Sequence, residues 1–522
     1  MTPLRTRPAA TLVASGITLS RLAGLVRQRA LSHFLGLGPE ADAFMAAFRI
    51  PNILQNLLGE GALSASFIPV YSRLLGAGDS AGARRVAGAA VGLLGVVVGI
   101  AVLAGVASAA WLVDVLAPGF EGAKRELTVR LVRILFPGAG CLVLSAWCLG
   151  ILNSHRRFFL SYAAPVVWNL AIILTVVVAG PTSTAARLAV LAAVGAVAGS
   201  LLQLLVQLPG ALRAAGGVRL SLGRGDPNTG EVRRLFGPAL LNRGVNQVSA
   251  WMDTLIASLL PTGAVAALVN AQLLYTLPVS LFGISVAAAE LPAMASAAGR
   301  EADTGAALRA RLDNAMARIA FFVVPSAAAF LGLGYLIAGL VFQSGRFTAG
   351  DARYVWGILA GSAVGLLAAT LARLLASAFY ALGDSTTPFR IAALRVAQAT
   401  AVGYVLAVHG VGWLGLDPRW GAAGLTLSSG VAGWVEFALL RRRLTSRIGR
   451  FGPPAGRLLR LWGAALVALT AAWAVALGAV RLPVTIQALL AIATYGVGYL
   501  SVAALLGVPQ VREVLGRTRA GG

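Results

Sequence analysis

ADAFMAAFRIPNILQNLLGEG, residues 41–61, sets Asp42, Arg49, Gln55, Asn56 and Glu60 into a segment otherwise apolar enough to lie in a bilayer. At about 100° per residue, separations of 7, 7 and 4 residues place Asp42, Arg49, Asn56 and Glu60 on one narrow stripe of a continuous helix, with the rest of its circumference oily. A charge facing lipid near the bilayer centre costs roughly 3 kcal/mol or more. Several on one stripe imply a polar cavity or internal ion pairs, which the remainder of the chain has to supply.

The surroundings are of the same kind. The chain has 522 residues, 58% of them hydrophobic and only 12% charged, with a mean hydropathy of +0.81, which excludes a soluble globule with a polar skin. Apolar runs of roughly 20 residues recur to the end, about fourteen in all, each ended by a polar, Gly/Pro or arginine-bearing break; this is the signature of an all-α polytopic membrane protein and not of a barrel. The net charge of +24 would suggest nucleic acid in a soluble chain. Here the arginines gather in alternate breaks, such as Arg73, Arg84 and Arg85, Arg156 and Arg157, Arg213 to Arg234, Arg441 to Arg450, and Arg512 to Arg519. By the positive-inside rule those breaks, and both termini, are cytoplasmic, and no nucleic-acid partner is expected. Arg5 and Arg7 precede an apolar stretch as in a signal peptide, but no small-residue cleavage site follows, so the stretch reads as the first helix.

That first helix, about residues 10–35, carries Arg21, Arg27 and Arg29. The second is the opening stretch continued to about residue 74, too long for one straight span, so Pro51 and the Gly59/Gly61 pair are expected to bend it. In the next four spans the buried amides Asn169, Gln203 and Gln207 read as interhelical hydrogen-bond partners. The Gly/Pro/Asn-containing break around residues 214–234 is the natural midpoint. Beyond it the seventh span carries Arg243 and Asp253, and ALSASFIPVYSRL (62–74) is echoed by SVAAAELPAMASA (285–297), a small-residue run with one proline at a fixed offset. The expected organisation is a six-helix lobe (1–213), a cytoplasmic loop (214–234), a second six-helix lobe (235–450), and two extra helices with a cytoplasmic tail (451–522), an arrangement common in transporters that bind substrate between their halves. Arg318 and Arg395 read as snorkelling arginines; Arg373 and Glu436 lie deeper and read as candidate cavity charges, together with Arg243 and Asp253. The last two helices look built to face lipid.

Chemistry is poorly represented. Lys124, the only lysine, is followed by Arg125 and Glu126 and cannot complete a phosphate-cradling G-x-x-x-x-G-K-[ST] loop. Cys141, Cys148, His33, His155 and His409 have no metal-ligand spacing. Asp42, Glu60, Asp253, Glu290 and Glu436 are spread over several helices without local catalytic spacing. A transporter without ATPase or metalloenzyme motifs is expected, and no cofactor.

At SRLAGLVRQ (20–28), ADAFMAAFRIPN (41–52), GEGALSASFIPV (59–70), ILNSHRRF (151–158), FQSGRFTAGDA (342–352) and FYALGDSTTP (379–388), in order and at fitting spacing, the chain resembles the MurJ/MviN family of lipid II flippases. That family sits in the multidrug/oligosaccharidyl-lipid/polysaccharide exporter superfamily. The resemblance implies fourteen helices, with a final pair forming an apolar groove for a polyprenyl tail. It implies a cationic cavity to which Arg21 and Arg27 of the first helix and Asp42, Arg49, Gln55, Asn56 and Glu60 of the second contribute. Arginine suits a pyrophosphate because it binds two oxygens at once, and Asp42 and Glu60 would hold the arginines or respond to protonation. Two departures bear on the charge: Gln55 and Asn56 stand where the family often has basic residues, and Leu273 where it has an arginine, so binding leans on the first helix.

The function implied is flipping of the lipid-linked peptidoglycan precursor, an anionic lipid of the undecaprenyl pyrophosphate type, across the bacterial cytoplasmic membrane by alternating access. A monomer among membrane lipids is expected, with coupling to membrane potential or a monovalent cation. The alternatives are a cation-coupled multidrug exporter, which would favour carboxylates and aromatics over deep arginines, and a flippase for another lipid-linked oligosaccharide.

Overall fold

The computed structural model describes residues 7–298 and 304–516. The side chains of residues 1–15, Glu60 and residues 241–250 lie outside that description, as do Arg300, Arg517 and Arg519. Two of the candidate site residues, Glu60 and Arg243, are therefore named here only by position. All regular elements among the described residues are helices.

The chain forms two compact units, Met1–Ala266 with Ser344–Arg346, and Ala267–Gln343 with Phe347–Gly522. In the first unit, α1 (Arg7–Leu35) is followed by α2 (Pro39–Leu54), a π-helical stretch (Gln55–Leu63) and α3 (Ser64–Gly76). Then come α4 (Ser80–Ala107), the short α5 (Ala109–Leu116), α6 (Gly122–Ser154), α7 (Phe158–Ala179), α8 (Ala185–Ala214) and α9 (Pro227–Ser258). Helix α6 packs on α2, α4 and α8, while α7 lies between α1 and α8. Phe67, Tyr71, Val86, Trp147, Cys148 and Ile151 form the buried core at one end of these helices, where the Trp147 indole N–H donates to the Ala87 carbonyl at 3.2 Å.

The helix expected to be continuous from residue 41 to 74 is interrupted. Pro51, inside α2, has no N–H for the carbonyl of Ala47; four residues later the winding widens to the π form and stays so for nine residues. A π stretch advances fewer degrees per residue than an α-helix. Asp42 and Arg49 therefore share the α-helical stripe, which assumes a winding that ends at Leu54, before Asn56 and Glu60. Gly59 in this stretch lies so near α6 that a Cβ on it would stand 3.2 Å from Ala146 Cβ.

Expected interhelical bonds are present for two of the three amides. Gln203 and Gln207 join α8 to Ser145 of α6, and Gln207 also donates to the Ser161 carbonyl of α7. Asn169 instead donates to Pro165 O within its own helix, at 2.9 Å, because the amide reaches back one turn.

The second unit holds most of α10 (Ala264–Pro278), a π stretch (Val279–Ile284), α11 (Ser285–Ala298), α12 (Thr304–Gly332) and α13 (Gly334–Phe342). These are followed by α14 (Ala349–Val364), α15 (Leu366–Ala381), α16 (Thr386–Tyr404), a π stretch (Val405–Gly410), α17 (Val411–Trp413) and α18 (Gly421–Ile448). Last come α19 (Ala455–Gly478), α20 (Val484–Leu505) and α21 (Pro509–Gly516). Helices α14 and α15 meet at a 43° bend at Gly365, where a Cβ would stand 2.4 Å from Gly430 Cα of α18. Backbone-to-backbone approach of this kind holds helices together where lipid offers no hydrophobic drive between them. Among the described residues ten helices are long and apolar enough to cross a membrane, or up to eleven if the bent pair counts as one span.

Helices α19 and α20 pack on each other and on α12 and α13. They do more than face lipid. Pro325 in α12 lacks the N–H that would satisfy the carbonyl of Phe321, and that carbonyl accepts instead from the buried Tyr499 hydroxyl of α20 at 2.7 Å. Tyr495 donates to Pro325 O at 2.8 Å one turn away. Tyr499→Phe leaves a buried acceptor unpaired and is expected to cost about 1–3 kcal/mol, read as a lower unfolding midpoint of the detergent-solubilised protein; an unchanged midpoint would show that the carbonyl finds another donor.

At the turn between α15 and α16, Gly383 adopts φ +77°, and Asp384 accepts from the Thr387 N–H (2.9 Å), the Thr387 hydroxyl (2.7 Å) and Arg447 of α18 (2.7 Å). The Thr387 amide first, then its hydroxyl and the Arg447 guanidinium, hold the Asp384 carboxyl down at about 2. A depressed carboxyl stabilises the fold above its unfolded pKa of about 3.9 and loses that contribution as pH falls towards the folded value. Asp384→Asn should therefore flatten the loss of thermal stability between pH 4 and about 2; an identical slope in both proteins would remove Asp384 from the account.

Candidate functional site

Three charged side chains of the first unit are held in three different ways. Asp42, near the start of α2, is 1% exposed. Its Oδ2 accepts from Lys124 Nζ at 2.7 Å and from the Gly263 N–H at 2.7 Å, and its Oδ1 accepts from the Ala266 N–H at 2.9 Å. The carboxylate thus caps the first turn of α10 and complements the partial positive charge of that helix end. Lys124, at the start of α6, is itself 14% exposed in its side chain and stands 4.0 Å over the Phe120 ring. Both oxygens of Asp42 are taken by these groups, and the cation beside it is Lys124.

Arg49, one helical turn pair further along α2, is half-buried and donates through Nη1 to Thr254 Oγ1 of α9 at 2.7 Å. Asp253, next to Thr254, supplies the counter-charge that acts on it. Arg49, Thr254, Trp251 and Ile53 line a cavity of about 10 Å³, near the size of a single water. Two residues singled out separately in the sequence, Arg49 and Asp253, are therefore brought together.

Arg27 is different. Its guanidinium carbon lies 5.3 Å from the centroid of the Phe48 ring and 5.3 Å from that of Trp168, and the two rings are 5.5 Å apart at 18°. Its Nε is buried without a hydrogen-bond partner. Each cation–π contact contributes on the order of 0.5–2 kcal/mol, and an unpaired buried donor costs about 1–3 kcal/mol. The two magnitudes are comparable, so the arginine is held without being satisfied.

The remaining candidates are dispersed. Arg21 is exposed on α1, and Gln55 and Asn56 open the π stretch half-buried. Leu273 is half-buried on α10. In the second unit, Arg373 is exposed on α15, and Glu436 of α18 lies 3.0 Å from Arg395 Nε of α16. That nitrogen has no aligned hydrogen bond, so the contact is a charge contact. Arg395, read as snorkelling, is a partner of Glu436. Among the described residues no group of three or more His, Cys, Asp or Glu side chains could hold a metal ion.

Residues 31–500 match the family described as lipid II flippase MurJ. The chain belongs to that family. Relatives bear out the assignment along most of the chain: a probable lipid II flippase MurJ of Rhizobium meliloti is 34% identical over 454 residues, 85% of this chain and 82% of the relative. A lipid II flippase MurJ of Burkholderia cenocepacia is 32% identical over 468 residues, 88% of each. Among solved structures, a lipid II flippase MurJ in an inward closed conformation superposes with a TM-score of 0.74 at 20% identity, covering 95% of this chain and 99% of that one. An inward-facing multidrug resistance MATE family transporter follows the same fold, with a TM-score of 0.65 at 19% identity, covering 84% and 98%.

Several of the family-like motifs have structural work in this chain. In FQSGRFTAGDA, the Arg346 N–H donates to the His33 carbonyl at 2.8 Å, Gly345 has φ +56° with no room for a Cβ against the same carbonyl, and Thr348 with Asp351 forms a capping box on α14. In ILNSHRRF, His155 Nε2 is 3.0 Å from the Tyr71 hydroxyl, which ties the end of α6 to α3. Sequence reasoning missed Lys124, Thr254, Phe48 and Trp168. Lys124 carried a signal in being the one lysine of an arginine-rich chain: a compact ammonium fits a carboxylate whose other lone pairs are occupied by backbone amides.

Lys124→Ala strands a buried carboxylate and should destabilise by about 3–5 kcal/mol, whereas the double change Asp42→Asn with Lys124→Ala should cost less than the sum of the single changes. Thermal unfolding of the four proteins closes the cycle; additive costs would mean that the two groups do not interact.

Proposed function

We propose that this protein moves lipid II from the cytoplasmic to the outer leaflet of the bacterial inner membrane by alternating access. The observation that carries the reading is Arg27: a cation kept inside a helical bundle, with no carboxylate paired to it among the described residues and its Nε buried without a hydrogen-bond partner. A pyrophosphate-linked lipid is the ligand such a group suits, since guanidinium binds phosphate oxygens through charge-assisted hydrogen bonds. Relatives that carry the lipid II flippase name cover most of the chain. The fold itself is shared with a multidrug transporter and does not choose between the two substrates.

Arg21, Arg27, Arg49, Gln55, Asn56 and Glu60 are proposed to meet the head group, with Asp42 fixing the helix ends around them; Arg243, Asp253, Arg373 and Glu436 are further cavity charges. The proposed organisation is fourteen spans in two six-helix lobes (1–213 and 235–450), joined by the loop 214–234 and followed by the pair in 451–522, with both termini cytoplasmic. The halves support this reading by repeating one irregular pattern. The second span of each carries a π stretch, Gln55–Leu63 and Val279–Ile284, and the third is a long helix followed by a short one, α4 with α5 and α12 with α13. A monomer is proposed, driven by the membrane potential, worth about 2.3 kcal/mol per charge per 100 mV, or by a monovalent cation.

The test is depletion of the native flippase in a bacterium complemented by this chain, with leaflet-specific labelling of the precursor. The wild-type chain should restore outer-leaflet labelling and Arg27→Glu should reduce it at least tenfold, the loss expected when a charge-assisted contact of about 1.5–3 kcal/mol turns repulsive. Labelling that stays absent with the expressed wild-type chain would refute the function.

A further inference from the structure

The setting of Arg27 differs from those of the other charges in the same unit. Asp42 is neutralised by Lys124 and two amides, and Arg49 has a hydroxyl and a nearby acid. Arg27 has two aromatic faces. The faces are themselves fixed. The Trp168 indole N–H donates to the Ala196 carbonyl of α8 at 3.0 Å, and Gly199 makes room for it, since a Cβ there would stand 2.9 Å from the Trp168 carbonyl oxygen and 3.0 Å from Cδ1. Phe48 is backed by Phe44, stacked at 5.6 Å and 27°. Four helices, α1, α2, α7 and α8, therefore converge on the orientation of one guanidinium.

A carboxylate would also hold an arginine in a membrane, but it would compete with any phosphate that arrived. Aromatic faces hold the cation through their quadrupole and leave its charge uncompensated. The two rings, stacked 5.5 Å apart and each 5.3 Å from Cζ, lie to one side of the group and hold it without a counter-ion, while its Nε stays buried with no hydrogen-bond partner. Fixing the group beforehand also removes part of the ordering cost of binding. We propose that Phe48 and Trp168 are positioning residues that hold Arg27 in place through their ring faces, with its charge left uncompensated, so that it takes an oxygen of the pyrophosphate of a lipid-linked ligand. The inference rests on the proposed function and adds two residues to its machinery.

The experiment uses the full chain in lipid nanodiscs, with undecaprenyl pyrophosphate as the probe. Tryptophan with one, two or three ring fluorines is placed at position 168 by site-specific incorporation. Fluorination drains the ring face of negative potential while keeping its N–H and nearly its shape, so mere packing is unaffected. Affinity is expected to fall stepwise, by roughly threefold to tenfold across the series, with the unfolding midpoint unchanged. Phe48→Leu should weaken binding to a similar extent and Phe48→Tyr, which keeps a π face, should restore it. Binding lost in Arg27→Gln but flat across the fluorinated series overturns the clamp and leaves the flippase reading standing. Wild-type protein that does not bind the probe, or Arg27→Gln that binds it as wild type does, overturns the clamp together with the role proposed for Arg27.

Discussion

A backbone carbonyl or N–H inside a bilayer has no water to turn to, and an unsatisfied one costs several kcal/mol, so each must find a partner within the protein. In this chain the prolines inside helices make that requirement specific. Pro325 deprives Phe321 O of its donor, and Tyr499 of α20 supplies one. Pro165 deprives Ser161 O, and Gln207 of α8 reaches it. Each repair is a hydrogen bond between helices, so the position of α20 against α12 and of α8 against α7 is written into the backbone defect of the partner helix. Where the proline is Pro51 or Pro278, the helix itself changes winding nearby.

Those changes of winding explain what could and could not be read from the residues alone. The helical class and the family follow from apolar runs and spaced motifs, which are local. The stripe from Asp42 to Glu60 assumed a constant angle per residue, and the assumption holds only to Leu54. Partners were harder, because they come from distant segments: Thr254 is 205 residues from Arg49, and the amides on Asp42 lie 221 and 224 residues away. Backbone amides in particular carry no side-chain signature. Lys124 was visible as an oddity of composition but not as the cation of Asp42.

The same unit shows that charge among packed apolar helices is not one thing. The Asp42–Lys124 pair is closed: both oxygens are used and both side chains are largely buried. Closing a pair in this way returns at most a small net gain over apolar packing, because desolvation offsets the attraction; what it fixes is geometry, here the first turn of α10 against α2 and α6. Arg49 is intermediate, bonded to a neutral hydroxyl with an acid alongside. Arg27 is open.

This ordering gives the family departures a physical meaning. Gln55 and Asn56 keep hydrogen-bonding capacity but give up charge, and they lie in the π stretch that follows the helix carrying Arg49. Leu273 gives up both. With those positions neutral and Arg49 engaged by Thr254, the cation on which an anion could act without first displacing a polar partner is, among the side chains described around α2, Arg27. Fewer fixed charges also mean less mutual repulsion to hold in place between substrate loads, which is consistent with a clamp of neutral rings in place of a counter-ion. The loss of basic positions in the second helix and the aromatic setting of the first-helix arginine are then two sides of one arrangement, in which a single charge is kept available by surroundings that do not quench it.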